Sequence, residues 1–395
     1  MRQFRVIGRN PGPRCAPRPG RCILRLSMAR FIHSSDLHLG KPFARFAEDV
    51  RGRLRQARME TIPRLAAIAR AGGATHVLLA GDTFDAETPA PATIRQALNA
   101  MAADPAIGWV VLPGNHDSLA AAALWDRVAA ERPANVTLAL TPAPIAIPGA
   151  IVLPAPCTHR RPGRDLTADL DQPTPEGLPR IGLAHGGVTD FAASSEEGAP
   201  AIIPPDRAAR SGLAYLALGD WHGRLAVGPA ARYSGTPEPD SFKHAGPATA
   251  TLWADGTVSE IATQSLDWRS CTLDCLPGED APARLAALLP PLAQRATTLL
   301  AVTARGRLRL PESAALAAAL AHAAPDFLHA EARLDGLMPE PDAADLDLID
   351  RAGALRQAAE TLAAEAADPA LSAADRAIAA TALARLFAFA MAEPS

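Results

Sequence analysis

Long hydrophobic runs are missing from this chain of 395 residues. No apolar stretch approaches the roughly 20 residues that a membrane-spanning helix needs. Lysine is nearly absent, because only Lys41 and Lys243 occur among the 39 basic residues. The formal net charge of −3 argues against a passive nucleic-acid coat protein, which would be strongly basic. A hydrophobic content of 48% and a mean hydropathy of +0.04 are instead typical of a soluble globular protein with a substantial core.

Cysteine is also scarce, and its positions show no paired spacing. The five residues are Cys15, Cys22, Cys157, Cys271 and Cys275, without a Cys-x-x-Cys pair. This pattern argues against a zinc ribbon and against a disulfide framework. It favours a reducing compartment, and we expect the protein in the cytoplasm.

Acidic residues are absent from residues 1–27, which contain seven arginines and a stretch rich in proline and glycine. No apolar segment of the kind found in a secretory signal occurs there. We expect these residues to be a disordered or misassigned leader and the native start to be Met28. Without the seven arginines the chain has 32 basic and 42 acidic residues, a net charge of −10.

Five short apolar segments of the sequence each end in polar residues that can bind metals. The polar clusters are Asp36-Leu37-His38, Gly81-Asp82-Thr83-Phe84-Asp85, Gly114-Asn115-His116-Asp117, His185-Gly186-Gly187 and Gly219-Asp220-Trp221-His222. The apolar segments predict buried strands, and residues 47–71 and 91–102 between them predict helices. Ligands at the carboxyl ends of successive strands are typical of open α/β sheets.

Hydrolysis of a phosphodiester at neutral pH needs a hydroxide nucleophile, neutralisation of the phosphate charge and a hydrogen-bond donor for the leaving oxygen. Two cations about 3.5–4 Å apart supply the first two requirements together. Such a pair needs several oxygen and nitrogen ligands, one of them a carboxylate that can bridge. The sequence offers seven candidate ligands: Asp36, His38, Asp82, Asn115, His185, Asp220 and His222. Asp36 and His38 are two residues apart, so both side chains can point the same way from one strand end.

The order of these clusters (D-x-H, G-D-x-x-D, G-N-H-D, H-G, x-x-H) resembles the calcineurin-like metallophosphoesterase superfamily. The opening segment 33–43 and the segment 233–238 resemble the SbcD-type DNA repair exonucleases more closely. The resemblance covers about residues 28–262 and implies an α/β fold of four layers, a metallophosphoesterase β-sandwich flanked by helices. A small α+β capping domain (263–340) and a helical tail (341–395) would follow.

The resemblance also implies a role for each candidate residue. One metal would be held by Asp36, His38 and His222, the other by Asn115, His185 and Asp220, with Asp82 bridging. His116 would not bind metal but would act on the leaving oxygen as general acid or hydrogen-bond donor. The carboxylate of Asp85 would orient the His116 imidazole.

At one ligand position the chain departs from the family. The usual Gly-His-x-His is replaced by Gly219-Asp220-Trp221-His222, so a carboxylate stands where an imidazole is expected. Three carboxylates against two divalent cations leave a net charge of +1, where the usual site keeps +2. We expect this harder site to favour Mn²⁺, or Mg²⁺, over Zn²⁺. The alternative is that Asp220 is no ligand and that the second metal is loosely held.

Other polar residues have a simpler interpretation. His33 and His76 lie within predicted strands and are expected in the core or behind the ligands. Arginines 45, 51, 53, 55 and 58 could line a path for a phosphate backbone near the site. Acidic residues alternate with them, so an ordinary solvated helix face is the preferred interpretation.

The last part of the chain is rich in alanine and predicts helices. Leu348, Leu355 and Leu362 recur every seven residues, and a second helix opens at Ser372 with an apolar stripe that includes Ile378 and Phe389. In SbcD-type nucleases such helices bind a coiled-coil ATPase of the SMC type. The sequence does not separate that role from packing against the chain's own second domain, and a homodimer is also left open.

Three functions are compatible with these residues. The leading hypothesis is a Mn²⁺-dependent DNA exonuclease or endonuclease of a DNA repair complex. The second is a phosphodiesterase or phosphatase for small nucleotides, which would not need a capping domain or a tail. The third is a non-catalytic scaffold for an ATPase partner, and the retained His116 and Asp85 argue against it.

Overall fold

The computed structural model describes residues 29–189, 203–243, 246–340, 343–350 and 353–392. The expected leader, residues 1–27, lies outside the described residues. Within the described part, no helix has the length and apolar character needed to cross a membrane.

The described strands and helices alternate over the first half of the chain. The strands are β1 (Arg30–Ser34), β2 (His76–Ala80), β3 (Gly108–Leu112), β4 (Val136–Leu138), β5 (Ile145–Ile147), β6 (Ala150–Ala155), β7 (Arg180–His185), β8 (Tyr215–Gly219), β9 (Leu225–Val227), β10 (Ala231–Tyr233), β11 (Thr249–Ala254), β12 (Thr257–Ala262), β13 (Asp267–Cys275), β14 (Thr298–Leu308) and β15 (His329–Pro339). The helices are α1 (Glu48–Met59), α2 (Thr61–Ala71), α3 (Pro91–Ala102), α4 (Ala122–Glu131), α5 (Arg207–Arg210), α6 (Ala281–Leu288), α7 (Leu292–Arg295), α8 (Leu310–Ala323), α9 (Ala343–Ile349), α10 (Ala354–Ala367) and α11 (Ala373–Ala392). Short 3₁₀ helices cover Leu166–Asp171 and Ala324–Asp326.

Two six-stranded sheets form the centre of the fold. The first has the order β12-β11-β1-β2-β3-β4 and the second β5-β6-β7-β8-β10-β9. Strands β1 to β4 run parallel, and so do β6, β7, β8 and β10. Antiparallel strands occupy the remaining edges.

The parallel strands are apolar on both faces because both faces are covered. Phe31 of β1 contributes to the interior between the two sheets, while the next residue, Ile32, packs under helices α2 and α3. Side chains alternate along a strand, so a continuous apolar run fills two cores at once. Helices therefore cover the outer face of each sheet, and the predicted four-layer α/β sandwich is confirmed.

The predicted helix over residues 47–71 is divided into α1 and α2 at Glu60. Pro63 lies in the first turn of α2, where it cannot donate a hydrogen bond back to the carbonyl of Met59. The Thr61 hydroxyl donates to the neighbouring Arg58 carbonyl at 2.7 Å. The Arg58 carbonyl thus has hydrogen-bond partners at the boundary between the two helices.

A third sheet, of order β13-β14-β15, follows the sandwich and is parallel throughout. Leu266 and Leu299 from this region pack into a cluster with Phe43, Phe46 and Leu54 of the sandwich. The buried Glu238 carboxylate accepts hydrogen bonds from Arg64 at 2.8 Å and from the Leu266 amide at 2.9 Å. Apolar packing thus connects the third sheet to the segment that follows His38, and the Glu238 carboxylate connects α2 to the residue that precedes β13.

The carboxyl-terminal helices have two apolar faces. Leu383 and Phe387 of α11 are buried against Leu310, Ile349 and Ala359. Two members of the predicted stripe point the other way, since Ile378 is 67% exposed and Phe389 is 73% exposed. Alanine-rich helices are apolar on every side, so the sequence pattern does not decide which face packs.

His33 connects the two sheets and gives the fold a pH dependence. Its Nε2 atom is 3.2 Å from the Leu218 carbonyl, so it donates there, and Nδ1 accepts from the Tyr215 hydroxyl at 3.0 Å. Burial lowers the pKa of His33 from 6.5 to about 3, against a smaller upward effect of the Leu218 carbonyl. Between pH 6.5 and about pH 3, the unfolded chain binds a proton at His33 and the folded chain does not. The free energy of unfolding therefore falls as the pH drops below 6.5.

We therefore expect His33→Gln to reduce the pH dependence of stability. The variant should lose stability at neutral pH, but its free energy of unfolding should decline less steeply in acid, by up to about 1.4 kcal/mol per pH unit. Urea unfolding of both proteins between about pH 7 and pH 4.5 measures the two slopes. His159→Gln, at an exposed histidine, is the control. Identical slopes for wild type and His33→Gln would contradict the prediction.

Candidate metal centre

The candidate ligands occupy the loops at the carboxyl ends of β1, β2, β3, β7 and β8. Several of them have left-handed backbone conformations, with φ of 56° at Asp36, 43° at His38, 52° at Asp82 and 104° at Asp220. Such conformations are unfavourable for residues other than glycine. Main-chain hydrogen bonds between the first two loops hold them, with Asp36 N donating to Gly81 O at 3.1 Å and His38 N to Asp82 O at 2.9 Å.

Two glycines allow the loops to approach each other. A Cβ atom at Gly114 would lie 2.1 Å from Oδ1 of Asp82, and one at Gly219 would lie 2.0 Å from the Ala80 carbonyl oxygen. Both distances are far below van der Waals contact. These positions require glycine because Gly114 brings together two loops of the first sheet, and Gly219 brings the second sheet against the first.

Asp36, His38 and His222 form one group whose donor atoms lie within 4.8 Å of one another. The Nε2 atoms of His38 and His222 are 3.2 Å apart. His38 comes from the first sheet and His222 from the second, so the two imidazoles converge across the sandwich. This is the set expected for the first metal.

A second group consists of Asp36, Asp82 and His185, again within 4.8 Å. Asn115 and Asp220 adjoin it, since Asn115 Nδ2 donates to Asp220 Oδ1 at 3.3 Å and His185 Nε2 is 3.9 Å from the same oxygen. The structure therefore brings all seven candidate ligands to one edge.

Asp82 lies between the two groups. Its Oδ2 atom is 3.6 Å from Nε2 of His38 and 3.5 Å from Nε2 of His185. One oxygen thus faces an imidazole of each group, which suits a bridging ligand. Asp36 also contributes to both groups.

Buried nitrogen and oxygen atoms without hydrogen-bond partners show whether this site fits metal ions. Nδ1 of His185 donates to the Ala80 carbonyl at 2.8 Å, so the lone pair of Nε2 faces the site. Among the described residues, that buried Nε2 and the buried Oδ1 of Asn115 have no hydrogen-bond partner. Buried polar atoms normally have one. Cations bound at this edge would be the partners of these two atoms. The residues therefore fit a metal site.

The charges at the site support the same conclusion. Burial raises the pKa of Asp82 to about 7, and Asp117 and Asp36 add to the effect. Burial alone would lower the pKa of His185, but Asp82, Asp36 and Asp220 outweigh it and raise that pKa to about 9. Without cations, bound protons would have to neutralise the negative charge of the crowded carboxylates. Burial keeps the pKa of His38 well below its usual value, so this imidazole is neutral, the form that binds metal.

The Asp85 carboxylate lies beside two histidines. Its Oδ1 is 3.1 Å from Nδ1 of His38, and ligand atoms of His38, Asp85 and His116 all lie within 4.8 Å of one another. His116 has its Nδ1 3.0 Å from the main-chain carbonyl of Asp85. Because His38 Nε2 faces the metal site, a carboxylate behind its Nδ1 is the arrangement that orients a metal-binding imidazole.

His38, Asp85 and His116 also form a third group of possible metal ligands. The ring of His116 lies edge-on to that of His38, with centroids 4.9 Å apart. Its main-chain amide donates to Asp82 Oδ1 at 2.9 Å. With Nδ1 directed to the Asp85 carbonyl, Nε2 of His116 is the atom able to transfer a proton.

Two carboxylates that support the site were not identified from the sequence. Asp117 is fully buried and accepts hydrogen bonds from the amides of Gly114 at 2.7 Å and Phe84 at 3.0 Å, which ties two ligand loops together. Asp240 lies 3.4 Å from Nδ1 of His222 and pairs with Lys41 at 2.6 Å. The only sequence signal was the aspartate that ends the Gly-Asn-His-Asp cluster, whereas nothing near Asp240 resembles a ligand motif.

Three arginines of α1 have partners within the chain. Arg51 and Arg55 pair with the exposed Glu48. Arg58 is buried, donates to the Leu37 carbonyl at 2.7 Å and lies 3.2 Å from Asp240. This helix therefore supports the opening loop from behind.

Comparisons with known proteins identify the class of the domain. Residues 29–200 match the calcineurin-like phosphoesterase family (Metallophos), a match that covers less than half of the chain. A crystal structure of TT1561 from Thermus thermophilus is similar over 60% of this chain and 99% of that chain, with 11% identity and a TM-score of 0.36. No curated protein matches the chain. The family match over residues 29–200 supports a calcineurin-like metallophosphoesterase domain in this part of the chain, and such a domain implies metal-dependent hydrolysis of a phosphate ester.

If His116 acts on the leaving group, His116→Ala should keep both metals and lose most turnover. A general acid contributes roughly 10²–10⁴-fold, so the hydrolysis rate at saturating metal should fall by a factor in that range. Metal content and the rate on a phosphodiester with an alkoxide leaving group, which needs a proton to depart, are the measurements. A variant that binds less metal would identify His116 as a ligand.

The position of Asp85 leads to a separate prediction. Asp85→Asn should weaken metal binding about 10–100-fold through His38, while the rate at saturating metal changes little. Asp240→Asn, behind His222, is the matched comparison and should behave alike. A metal titration of activity gives both quantities. If Asp85→Asn instead lowers the saturated rate and leaves metal affinity unchanged, the carboxylate acts through His116.

Proposed function

We propose that this protein is a DNA nuclease, an exonuclease or endonuclease of a DNA repair complex in the cytoplasm. It would cleave phosphodiester bonds with two divalent cations, most favourably Mn²⁺. Asp36, His38, Asp82, Asn115, His185, Asp220 and His222 would hold the cations. When bound, the cations supply positive charge to the phosphate and lower the pKa of water.

The size and lining of the cavity at the site support a polymeric substrate over a small one. The cavity beside Asn115, His185 and Asp220 has a volume of about 40 Å³, and no phenylalanine, tyrosine or tryptophan lines it among the described residues. Pockets that enclose small ligands are typically about 300–1,000 Å³ and rich in apolar and aromatic side chains. A cavity of this size does not enclose a nucleoside. The geometry suits an ester that is presented from outside by a larger molecule.

The chain's own residues have distinct tasks in this reaction. His116 would donate a hydrogen bond or proton from Nε2 to the leaving oxygen, while the Asp85 carbonyl holds its Nδ1. Asp85 and Asp240 would orient His38 and His222 through their Nδ1 atoms. Asp117 would keep the loop of Asn115 and His116 against the Asp82 loop.

The tail is consistent with a partner of the SMC-like ATPase class. One face of α11 packs against α8, α9 and α10 through Leu383 and Phe387, and the opposite side leaves Ile378 and Phe389 exposed. Helices that both pack internally and expose an apolar strip can bind a second helix. We propose this strip as the surface for a coiled-coil partner.

The proposal is tested with linear double-stranded DNA, bis-p-nitrophenyl phosphate and p-nitrophenyl phosphate as substrates, each with Mn²⁺. We expect cleavage of the first two and little hydrolysis of the monoester, with activity removed by a chelator and restored by Mn²⁺. His116→Ala is the control for contaminating nucleases. Preference for the monoester or for a small nucleotide would favour the second function, and inactivity on every substrate would favour a scaffold.

Asp220 leads to a prediction about metal choice. Asp220→His should keep the fold and shift activity towards Zn²⁺ or Co²⁺, because imidazole suits later transition metals better than a carboxylate does. Asp220→Ala should weaken the second metal at least about tenfold. Metal stoichiometry and phosphodiesterase rates across Mn²⁺, Mg²⁺, Co²⁺ and Zn²⁺ are compared for the three proteins. Two metals bound by Asp220→Ala as tightly as by wild type would exclude Asp220 as a ligand.

A further inference from the structure

Three exposed arginines lie in the loop between β6 and the 3₁₀ helix at Leu166–Asp171. Arg160, Arg161 and Arg164 line the same cavity as Asn115, His185 and Asp220. β6 is hydrogen-bonded in parallel to β7, which ends at His185, so the loop leaves the sheet at the edge that carries the candidate ligands. We refer to residues 158–164 as the arginine loop.

Both ends of the arginine loop are fixed. At its start, the Cys157 amide donates to the Pro113 carbonyl at 3.2 Å, and the Leu119 amide donates to the Cys157 carbonyl at 2.9 Å. At its end, the carboxylate of Asp165 accepts from the Thr167 amide at 2.8 Å and pairs with the buried Arg207. The three arginines therefore project from a segment whose anchors belong to the folded core.

The positive charge of this loop is not neutralised by its neighbours in sequence. Asp165 and Asp171, two acidic residues that follow the loop, both pair with Arg207. Among the ion pairs between described residues, none involves Arg160, Arg161 or Arg164. Three charges so close together repel one another, and an anionic ligand would relieve the repulsion.

We propose that the arginine loop binds the phosphates that neighbour the scissile phosphate on a DNA strand, on the side of Asn115 and Asp220. This inference rests on the proposed function and defines its substrate as a strand with several phosphates. Successive phosphates of one strand are separated by roughly 3.4 Å along the helix axis, so three arginines can contact two or three of them. Arginine suits this role because its fork of donors binds phosphate oxygens in pairs.

The test replaces all three arginines by alanine in the full chain. Each phosphate contact contributes about 0.7–0.9 to the dependence of log binding on log salt. The variant should lose at least about tenfold in kcat/KM for linear DNA at low salt, and its salt slope should be shallower by about 2. On bis-p-nitrophenyl phosphate, which has no neighbouring phosphate, the rate should change less than about threefold.

Two further variants complete the experiment. Replacement of Arg30, Arg70 and Arg210 by alanine removes the same charge from exposed positions at the opposite edge, near the amino ends of β1, β2 and β8, and should leave the salt slope as in wild type. The triple Arg→Lys variant of the arginine loop keeps its charge and should retain most of that slope. If the alanine variant does not fold, the comparison of triple Arg→Lys with triple Arg→Gln replaces it.

The outcomes separate the inference from the proposed function. If the wild-type protein cleaves no DNA in Mn²⁺, the proposed function is wrong and the inference falls with it. If the wild type cleaves DNA but the arginine-loop variant has the same kcat/KM and salt slope, only the inference is wrong. Equal losses on DNA and on bis-p-nitrophenyl phosphate would also overturn it, because the arginines would then act on the scissile phosphate or on the ligands.

Discussion

The repulsion between buried carboxylates at the meeting edge of the two sheets is the constraint on which this site depends. Asp36 and Asp82 are almost completely buried, and one oxygen of Asp82 faces an imidazole from each ligand group. Buried carboxylates are costly unless countercharge is close. Among the described residues, no lysine or arginine forms an ion pair with Asp82, whereas unpartnered atoms of His185 and Asn115 point to the same place. Divalent cations satisfy both conditions together, and the arrangement of the loops is best understood as a response to them.

Such crowding requires a backbone that ordinary loops would not adopt. Left-handed conformations at Asp36, His38, Asp82 and Asp220 cost on the order of 1–3 kcal/mol each. The sandwich stabilises them through apolar strands that are covered on both faces and through the Asp117 carboxylate, which joins the loops after β2 and β3. The energy stored in the loops is thus compensated by packing elsewhere, and that packing holds the ligand loops in place.

Much of this arrangement could be predicted from the sequence because it depends on the order of short local motifs along the chain. Five apolar segments followed by polar clusters predict parallel strands whose carboxyl ends meet, and the ligands follow directly from that topology. The contact between the Asp85 carboxylate and His38 could not be predicted, since it depends on how two separate loops meet in three dimensions. Asp240 was missed for a similar reason, because its partners His222, Lys41 and Arg58 come from distant segments. The buried face of α11 was equally hidden, because an alanine-rich helix has no polar side to mark its surface.

The two sides of the site differ in how they manage negative charge. Behind His222, Asp240 is accompanied by Lys41 and Arg58, and its pKa is held well below the usual value by the hydrogen bond from His222 and by Arg58, despite burial. That carboxylate can orient an imidazole without adding net negative charge. On the other side Asp220 replaces an imidazole of the family pattern and would lower the charge of the metal pair by one. The arginine loop lies on this same side, beside Asp220. If the proposed function holds and Asp220 binds the second cation, the weaker attraction of that cation for phosphate would be offset by arginines that a longer, multiply charged strand can reach. Under that proposal, the carboxylate at residue 220 would favour polymers over small esters.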